Sequence, residues 1–547
     1  MSAEEMDAAA SELPSEEQQV TCRFVTKLPE ELRVSDDLLT VPANASRLGL
    51  SQVINSLLSL SPPLPFEFLV GGELLRGSLG EALEASGASL EQTVDVEYVR
   101  AVLPPSERPP ARQEDWTAAL ATVPLGWRDA WEVPAAAAAA AIGDGDGDAA
   151  TPFGAVLSAS FDGRARLWLS PSAAPAAPSV PAPLRAATAS ASEPLVFFGG
   201  DEGAVDVWKV GEAEQTAAEL VDPAARLALT RLARFVGPSD GVTALQLLEG
   251  ADATPGKHPK AAAGTALLAA AGADGGVAVY LAPRGSFEHA LGDGTPVGSL
   301  PGDPTPGRAG KKRKGAKAAE TQSELFAVPR LAPAFSFLAH RGAATALAAP
   351  CPAAAPALLA SAGEDGAVRL WDLHSALGEG RAATDAAAPF VALGAAATRA
   401  PALALASVGG PAAQTLASGG ADGVVAVWDF RTESGKPVSS LLGRGGAAAS
   451  SSAPAKPLVA FERQPRVRSA HGGWITALAA HPTSPYHFAS ASHDGTARIW
   501  DLRAAAPLFT LRAAQGERLQ AVAWAGESTI AYAGASQEVY FAQVEGF

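Results

Sequence analysis

The chain has 547 residues and a formal net charge of −17, with 41 Lys and Arg against 58 Asp and Glu. Its length allows more than one domain, and its acidic balance disfavours a general nucleic-acid binder, which usually carries a basic surface. Two cysteines, Cys22 and Cys351, cannot build a disulfide framework and fit a reducing compartment better.

The chain begins with an acidic segment of small residues. Residues 1–18 lack the basic start and apolar core of a secretory signal, and we expect them to be disordered. The longest apolar run, Val133 to Ile142, is mostly alanine and falls far short of the ~20 residues that a membrane span needs. We therefore expect a soluble intracellular protein without membrane contact.

A compact first domain is predicted over residues 19–100. Its strands are predicted from alternating apolar residues over Val20 to Val25, Leu38 to Val41, Phe66 to Val70, Glu73 to Arg76 and Val94 to Val99. Its helices are predicted after a capping Ser51, with Val53, Ile54, Leu57 and Leu58 as the apolar face, and around Leu79 to Ala85. This order of elements is that of a ubiquitin-like β-grasp.

The next segment separates this domain from the rest of the chain. Residues 101–113 contain four prolines and few large apolar side chains. Because proline cannot donate a backbone hydrogen bond to a sheet, we expect a linker, or at most an edge strand.

Residues 114–547 repeat one pattern seven times. Each copy has small residues, then Asp-Gly or a related turn, then an alternating run that ends in an aromatic residue. Two of the spacings between these aromatic residues are 40 residues, which matches a WD repeat of ~40–45 residues. Longer spacings require inserted loops, notably 283–330. The terminal aromatic residues are Trp168, Trp208, Tyr280, Trp371, Trp428, Trp500 and Tyr540.

Seven copies predict a mainly β protein whose second domain is a seven-bladed WD40 β-propeller. Within a blade, Asp-Gly forms a tight turn in which Gly supplies positive φ. A structural hydrogen-bond network is predicted between the strands of a blade, with Ser490 or Ser492 as its hydroxyl in the sixth copy. The other predicted network residues are His340, Asp365, Trp371, Asp422, Trp428, His471, Asp494 and Trp500.

A catalytic Ser/His/Asp triad is the alternative interpretation of the sixth copy. We favour the structural role because the same spacing recurs in copies that lack the histidine. The sequence also lacks C-x-x-C, H-E-x-x-H and a phosphate-binding loop. We therefore expect no enzyme, no metal held by this chain alone and no cofactor.

One dense basic cluster lies within the 283–330 insertion. It comprises Lys311, Lys312, Arg313 and Lys314. We interpret it as a candidate nuclear-import signal. The alternatives are a solvated charge run or a weak contact with an RNA backbone.

The first domain resembles the N-terminal domain named after the Notchless protein, the NLE domain. The residues that carry this resemblance are Val20 to Phe24, Gly49 to Leu58, Phe66 to Leu69, Gly72 to Arg76, Val96 to Tyr98, Arg100 to Pro105 and Glu114 to Trp116. With seven WD repeats and a basic insertion between the third and fourth blades, nearly the whole chain resembles the WD-repeat protein twelve family of ribosome-biogenesis factors.

The resemblance implies a non-enzymatic scaffold of large (60S) ribosomal subunit assembly in the nucleolus and nucleoplasm. Its propeller would dock on that of the block-of-proliferation protein, in a complex with pescadillo that matures large-subunit rRNA on pre-60S particles. The midasin AAA ATPase would grip the NLE domain to release the complex. Whether the chain contacts RNA directly is left open.

The resemblance also implies that a carboxylate of the NLE domain completes the coordination of a Mg²⁺ ion that belongs to midasin. The family's glutamate follows the second helix and precedes the last strand, which corresponds here to Glu91. Asp95 and Glu97 on the following strand are expected to be ordinary outer-face residues, and Glu73 a turn residue.

Two other functions remain possible at this point. Notchless itself shares the domain order, although it would carry an extra blade and no basic insertion. A substrate receptor of a cullin-type ubiquitin ligase would use a W-D-x-R box, which Trp428 to Arg431 and Trp500 to Arg503 both match. The alternative for these two motifs is an ordinary strand end.

Overall fold

The computed structural model describes residues 18–87, 92–123, 155–168, 182–212, 227–238, 240–249, 265–283, 330–350, 357–373, 392–410, 414–432, 459–463 and 471–546. The chain divides into two compact units. Unit 1 comprises Met1–Pro104 and Val544–Phe547, and unit 2 comprises Pro105–Gln543. Within the described ranges no helix has the length and hydropathy needed to cross a bilayer.

The described residues of unit 1 form one five-stranded sheet, two α-helices and a short 3₁₀ helix. Its strands run in the order β2-β1-β5-β3-β4, and the neighbours β1 and β5 are parallel. This topology confirms the predicted β-grasp. The elements are β1 (Gln19–Val25), a short 3₁₀ helix (Glu30–Leu32), β2 (Leu38–Pro42), α1 (Arg47–Leu58), β3 (Phe66–Val70), β4 (Glu73–Leu74), α2 (Leu79–Ser86) and β5 (Val94–Arg100).

Helix α1 begins earlier than the sequence predicted. Its N-cap residue is Ser46, not Ser51. Ser51 lies inside the helix and is buried, and its hydroxyl accepts the backbone N–H of Phe66 at 3.2 Å. The Ser51 hydroxyl bonds to another element of the fold and not to the first turn of α1, so the prediction of Ser51 as N-cap was wrong.

The buried face of α1 also differs from the predicted face. Leu50 and Ile54 are buried, whereas Leu57 is 46% exposed. Residues four apart lie on the same side of a helix, so the face is set by Leu50, Ile54 and the partly buried Leu58, which packs against the same core.

Unit 2 consists of β-strands, which in chain order are β6 (Ser106–Glu107), β7 (Ala111–Arg112), β8 (Thr117–Val123), β9 (Ala155–Ser160), β10 (Ala165–Trp168), β11 (Leu184–Ala189), β12 (Leu195–Gly200), β13 (Ala204–Glu212), β14 (Leu227–Val236), β15 (Val242–Leu248), β16 (Thr265–Gly272), β17 (Gly276–Pro283), β18 (Arg330–Leu331), β19 (Phe335–Leu338), β20 (Ala344–Ala348), β21 (Leu358–Gly363), β22 (Ala367–Asp372), β23 (Gly394–Ala397), β24 (Ala402–Val408), β25 (Thr415–Gly420), β26 (Val425–Thr432), β27 (Val459–Arg463), β28 (Ile475–Ala480), β29 (His487–Ser492), β30 (Thr496–Asp501), β31 (Phe509–Arg512), β32 (Leu519–Trp524), β33 (Thr529–Gly534) and β34 (Glu538–Gln543).

These strands form seven sheets, and the predicted seven-bladed propeller is confirmed. Blade 1 contains β8 to β10, blade 2 contains β11 to β14 with β18, and blade 3 contains β15 to β17 with β19. Blades 4, 5 and 6 contain β20 to β23, β24 to β27 and β28 to β31. Blade 7 contains β32 to β34 together with β6 and β7.

The innermost strands of the blades form a closed ring. Strands β8, β11, β15, β20, β24, β28 and β32 each contact the next in this order, and β32 contacts β8. They surround a channel of 190 Å³ to which all seven contribute. Threonine hydroxyls join neighbouring blades: Thr345 Oγ1 donates to Ala402 O at 2.5 Å, and Thr476 Oγ1 donates to Leu519 O at 2.9 Å.

The aromatic residue at the end of each repeat packs against the preceding blade. Trp208 of blade 2 lies in the core with β9 of blade 1, and Trp428 of blade 5 lies with β21 of blade 4. Trp168 of blade 1 packs on Phe541 of blade 7, with ring centroids 6.0 Å apart. Among the described residues, apolar cores therefore lie between successive blades from 1 to 6 and between blades 7 and 1, and the last of these closes the circle.

The outer strand of blade 7 comes from the start of unit 2. Strands β6 and β7 both pair antiparallel with β34, inside the segment that the sequence predicted as a linker or an edge strand. Arg108 N donates to Phe541 O at 2.9 Å, and Gln113 N donates to Gln537 O at 2.8 Å. Residues more than 400 positions apart thus share one blade and protect its edge.

We expect Arg108→Pro to destabilise the propeller by about 1–3 kcal/mol, because proline removes the N–H that bonds to Phe541. Arg108→Ala, which keeps this bond and loses only the side-chain bond to Gln543, should cost less. Urea unfolding followed by tryptophan fluorescence reports on unit 2 alone, since all 10 tryptophans lie there. Equal losses in the two variants would contradict the closing role of this backbone.

Candidate functional site

Blade 6 holds a continuous chain of buried hydrogen bonds. The indole Nε1–H of Trp500 donates to Ser490 Oγ at 2.8 Å. Ser490 Oγ lies 2.7 Å from His471 Nε2, and His471 Nδ1 lies 3.1 Å from Asp494 Oδ2. Asp494 also accepts the backbone N–H of Gly472 at 2.8 Å. The chain fixes the loop before β28 to the turn between β29 and β30, and it identifies Ser490 as the network hydroxyl.

Blade 4 repeats this arrangement. Trp371 Nε1–H donates to Ser361 Oγ at 2.9 Å, and Ser361 Oγ lies 2.7 Å from His340 Nε2. His340 Nδ1 lies 2.9 Å from Asp365 Oδ1, and Arg369 donates to the other oxygen of this carboxylate at 2.8 Å. In the Nδ1–H tautomer, each neutral histidine would donate to its aspartate through Nδ1 and accept the serine hydroxyl through Nε2.

The electrostatics of the two networks agree with that assignment. Burial lowers the pKa of His340 and of His471 below the ordinary histidine value, and the neighbouring aspartates only partly oppose it. Although burial would raise the pKa of Asp365, hydrogen bonds from His340 and Arg369 hold it well below its usual range. Hydrogen bonds also lower the pKa of Asp494.

These networks have no access for a substrate. The side chains of His340 and His471 are fully buried, and Ser490 has no exposed surface. The Ser490 hydroxyl is already engaged with Trp500 and His471. A nucleophile must reach its substrate, so the geometry supports a structural network and not a catalytic triad.

The other blades contain shortened versions of the network. In blade 5, Trp428 Nε1–H donates to Ser418 at 2.8 Å, and Asp422 accepts the backbone N–H of Val424 at 3.1 Å. In blade 2 the residue ten positions before Trp208 is Phe198 and not serine. The buried indole N–H of Trp208 accordingly has no hydrogen-bond partner among the residues that the structure describes.

In blades 3 and 7 a tyrosine replaces the tryptophan. Tyr280 Oη donates to Val236 O at 2.8 Å. Tyr540 Oη lies 2.7 Å from Glu517 and 2.9 Å from Glu538. Burial raises the pKa of both tyrosines well above the ordinary value. The apolar packing between blades is thus kept while the polar connections change.

The W-D-x-R motif of blade 6 is engaged within the propeller. Arg503 donates to Asp501 through Nε at 3.0 Å and through Nη2 at 2.8 Å. Its guanidinium also lies 4.1 Å from the ring centroid of Tyr486. The Arg503 side chain is 16% exposed, so this geometry favours an ordinary strand end over a partner-binding box.

Three further sequence-predicted features concern unit 1 and the insertion. Glu91 and the basic cluster Lys311, Lys312, Arg313 and Lys314 lie outside the described residues. Asp95 forms two 2.8 Å hydrogen bonds with Arg23, which lower the pKa of its carboxyl. Glu97 lies 3.2 Å from Lys27. These two carboxylates of β5 therefore already have cationic partners.

Two exposed tryptophans were not among the functional residues predicted from the sequence. Trp116 and Trp474 are 49% and 54% exposed, and each directly precedes the innermost strand of its blade. The signal was present in the sequence, because this position holds a small residue, proline or arginine in the other copies.

The matched pair Trp428→Phe and Trp208→Phe isolates the indole hydrogen bond. Both tryptophans are 7% exposed, so the loss of packing should be similar. Trp428→Phe also leaves Ser418 without its donor, and we expect it to cost about 1 kcal/mol more than Trp208→Phe. Urea unfolding measures both, and equal costs would show that the bond contributes nothing net.

The propeller should lose stability as the pH falls from 7 to 5. Burial lowers the pKa of His340 and His471, and lowers that of His481 to about 4. Below about pH 6.5 these histidines become protonated in the unfolded chain but stay neutral in the folded chain. The stabilisation is therefore complete above that pH, and it is lost as the pH falls toward the folded pKa.

His481 offers the clearest test of this pH dependence. Its Nε2–H donates to Glu527 O at 2.7 Å, and its Nδ1 accepts the N–H of Ser484 at 2.9 Å. His481→Gln should reduce the loss of unfolding free energy by about 1 kcal/mol per pH unit between pH 6.5 and 5. Urea unfolding at pH 7.5, 6.5 and 5.5 provides the measurement. An unfolding free energy of the wild type that stays constant over this pH range would contradict the predicted role of the buried histidines.

Comparison with known proteins adds family information to this geometry. Residues 20–83 match the NLE (NUC135) domain model, and residues 332–372 and 463–501 match the WD domain, G-beta repeat model. Among solved structures, the WD40 β-propeller domain of Doa1 gives a TM-score of 0.47 at 11% identity, covering 80% of this chain and 97% of that chain. The propeller assignment itself rests on the strand order described above.

The similarity to whole proteins extends over nearly the full chain. The ribosome biogenesis protein WDR12 homolog of Chlamydomonas reinhardtii is 31% identical over 524 residues, covering 95% of each chain. The WDR12 homolog of Arabidopsis thaliana is 28% identical and covers 93% of each. YTM1 of Chaetomium thermophilum is 36% identical over 228 residues, which is 39% of this chain and 43% of that protein. Two-unit architecture and full-length similarity together show that this chain belongs to the WDR12/YTM1 family of ribosome biogenesis proteins.

Proposed function

We propose that this protein is a non-enzymatic assembly factor of the large (60S) ribosomal subunit. It acts with pescadillo and the block-of-proliferation protein in the maturation of large-subunit rRNA on pre-60S particles. The observation that carries the proposal is the similarity to the Chlamydomonas homologue, which extends through both units and not through the common propeller alone. A propeller by itself would support many functions.

The propeller is the scaffold in this proposal, and it docks on the propeller of the block-of-proliferation protein. A closed ring suits this role because it presents a rigid face and leaves only short strand edges at its outer rim. The buried polar networks of blades 4 and 6 connect loops of one face to the strands beneath them. They therefore support a face whose loops are held in place. Pre-organised surfaces bind with less loss of conformational entropy.

Unit 1 is the handle for release, and midasin grips it through Glu91. A carboxylate from this chain completes the coordination of a Mg²⁺ ion that belongs to midasin, and oxygen is the ligand that Mg²⁺ prefers. Glu91 lies between α2 and β5 in the sequence. Strand β5 is the centre of the sheet and pairs with both β1 and β3, so a pull applied there acts on a strand that is bonded on both sides.

The neighbouring carboxylates fit the ligand role less well. Asp95 and Glu97 each have a cationic partner, Arg23 and Lys27 respectively. Coordination of the midasin metal would have to break those ion pairs first. Glu91 is therefore our assignment, and Asp95 provides a matched control.

The proposed place of action is the nucleolus and the nucleoplasm, and Lys311, Lys312, Arg313 and Lys314 serve as the import signal. We place this family role ahead of a Notchless-like factor because the near-full-length relatives are WDR12 homologues. We also favour this family role over that of a ubiquitin-ligase receptor, because the arginine of the W-D-x-R motif in blade 6, Arg503, is bound within the blade.

The test is binding of the full chain to the purified adhesion-site domain of midasin, with Mg²⁺ and with EDTA. We expect binding that requires the metal and that Glu91→Ala weakens about ten-fold or more, because the variant lacks the metal ligand. Glu84→Ala removes an exposed carboxylate from α2 and should bind as the wild type does.

Two results would change the assignment. Metal-dependent binding that survives Glu91→Ala but is lost in Asp95→Ala would move the ligand to β5. Absence of any metal-dependent binding by the wild-type chain would refute the release mechanism.

A further inference from the structure

Two exposed tryptophans lie at equivalent positions on one face of the propeller. Trp116 directly precedes β8 of blade 1, and Trp474 directly precedes β28 of blade 6. They are 49% and 54% exposed. At the same position the other blades have Pro183, Gly241, Ala343, Pro401 and Arg518. Large aromatic side chains at this place are thus a feature of two blades only.

Each tryptophan is held by an aromatic residue from the turn between the second and third strands of its blade. The ring of Trp116 meets that of Phe161 edge to face, with centroids 6.4 Å apart. The ring of Trp474 stacks on His493 with centroids 5.7 Å apart. The backbone N–H of Phe161 and of His493 donates to the carbonyl of its tryptophan at 3.1 and 2.9 Å. Both rings are therefore exposed yet fixed in orientation.

Each aromatic pair has an arginine beside it from the next blade. The Arg185 guanidinium lies 6.0 Å from the Phe161 ring centroid, and it also pairs with Asp201. The exposed Arg518 directly precedes β32, the strand of blade 7 that contacts β28 of blade 6. Burial and the Arg518 charge both lower the pKa of His493. Within the described part of the chain, Arg518 forms no ion pair or side-chain hydrogen bond.

The two groups are close neighbours around the ring. Strand β28 of blade 6 contacts β32 of blade 7, which contacts β8 of blade 1, which in turn contacts β11 of blade 2. Because the innermost strands are arranged in parallel, the residues that precede them share one face. We call the set of six the aromatic surface, which consists of Trp116, Phe161, Arg185, Trp474, His493 and Arg518.

We propose that the aromatic surface is the docking site of the propeller for a protein partner. The partner segment supplies apolar side chains to the two tryptophans and a carboxylate to Arg518. Tryptophan and arginine contribute most often to binding hot spots, and rigid rings lose little entropy on binding. The inference deepens the docking role proposed above and rests on it.

Charge favours a protein partner over single-stranded RNA, which also stacks on aromatic rings. RNA affinity requires several cations that contact phosphates. Here Arg185 is already paired with Asp201, and Asp162 and Asp494 directly follow Phe161 and His493 in the sequence. Of the two arginines of the aromatic surface, only Arg518 remains to receive an anion among the described residues, which suits a single carboxylate.

The test is calorimetric titration of the full chain with purified block-of-proliferation protein. We expect Trp116→Ala, Trp474→Ala and Arg518→Glu each to weaken binding about ten-fold or more. Leu338→Ala removes a 71% exposed apolar side chain from blade 3, and Arg399→Glu reverses an exposed charge in the loop between blades 4 and 5. These two controls should change the affinity less than about two-fold.

Binding to the midasin domain should be unchanged in all five variants, since the substituted side chains belong to unit 2. Thermal unfolding should shift by only a few degrees, because Trp116→Ala and Trp474→Ala remove one ring contact each. Wild-type affinity in the three surface variants would overturn the docking site and leave the proposed function standing. No binding by the wild-type chain would instead overturn the docking role itself, and the site with it. Tryptophan-dependent binding of poly(U) RNA without binding of the protein would assign the surface to RNA.

Discussion

The structure of the propeller depends on the closure of its ring. No blade buries its apolar faces alone, because the last aromatic residue of a repeat packs on the blade before it, as Trp208 and Trp428 do. Blade 1 therefore needs blade 7, and Trp168 on Phe541 provides this contact. The pairing of β6 and β7 with β34 covers the outer edge of blade 7, so the two ends of the unit are held in one sheet.

The polar networks are secondary to this apolar framework, and their variation shows the difference. Blades 4 and 6 connect tryptophan, serine, histidine and aspartate, whereas blade 2 has lost the serine and leaves the indole N–H of Trp208 unpaired. The interface between blades persists in each case. An unpaired buried donor costs about 1–3 kcal/mol, which a ring held by apolar interfaces between its blades tolerates. Loop positions are therefore free to change, and Trp116 and Trp474 occupy two of them.

The two units suit different tasks in the assembly factor that we propose. Unit 2 offers a rigid face with aromatic rings fixed in place, which fits a contact that must persist during assembly. Unit 1 is a small β-grasp whose central strand follows the proposed metal-binding Glu91, which fits a handle for removal. The ion pairs of Asp95 and Glu97 keep the neighbouring carboxylates occupied.

The sequence by itself determined the fold class and the blade count, because these depend on local periodicity and on a repeat that fixes equivalent positions. It predicted Ser51 as the N-cap of α1, whereas the N-cap is Ser46. Ser51 lies inside the helix and accepts the backbone N–H of Phe66, a tertiary bond that the local sequence does not show. It could not decide the closing strand, since residues 106–112 pair with a strand more than 400 positions away. Nor could it bring together Trp116, Trp474 and Arg518, because only closure of the ring makes blade 1 a neighbour of blade 7.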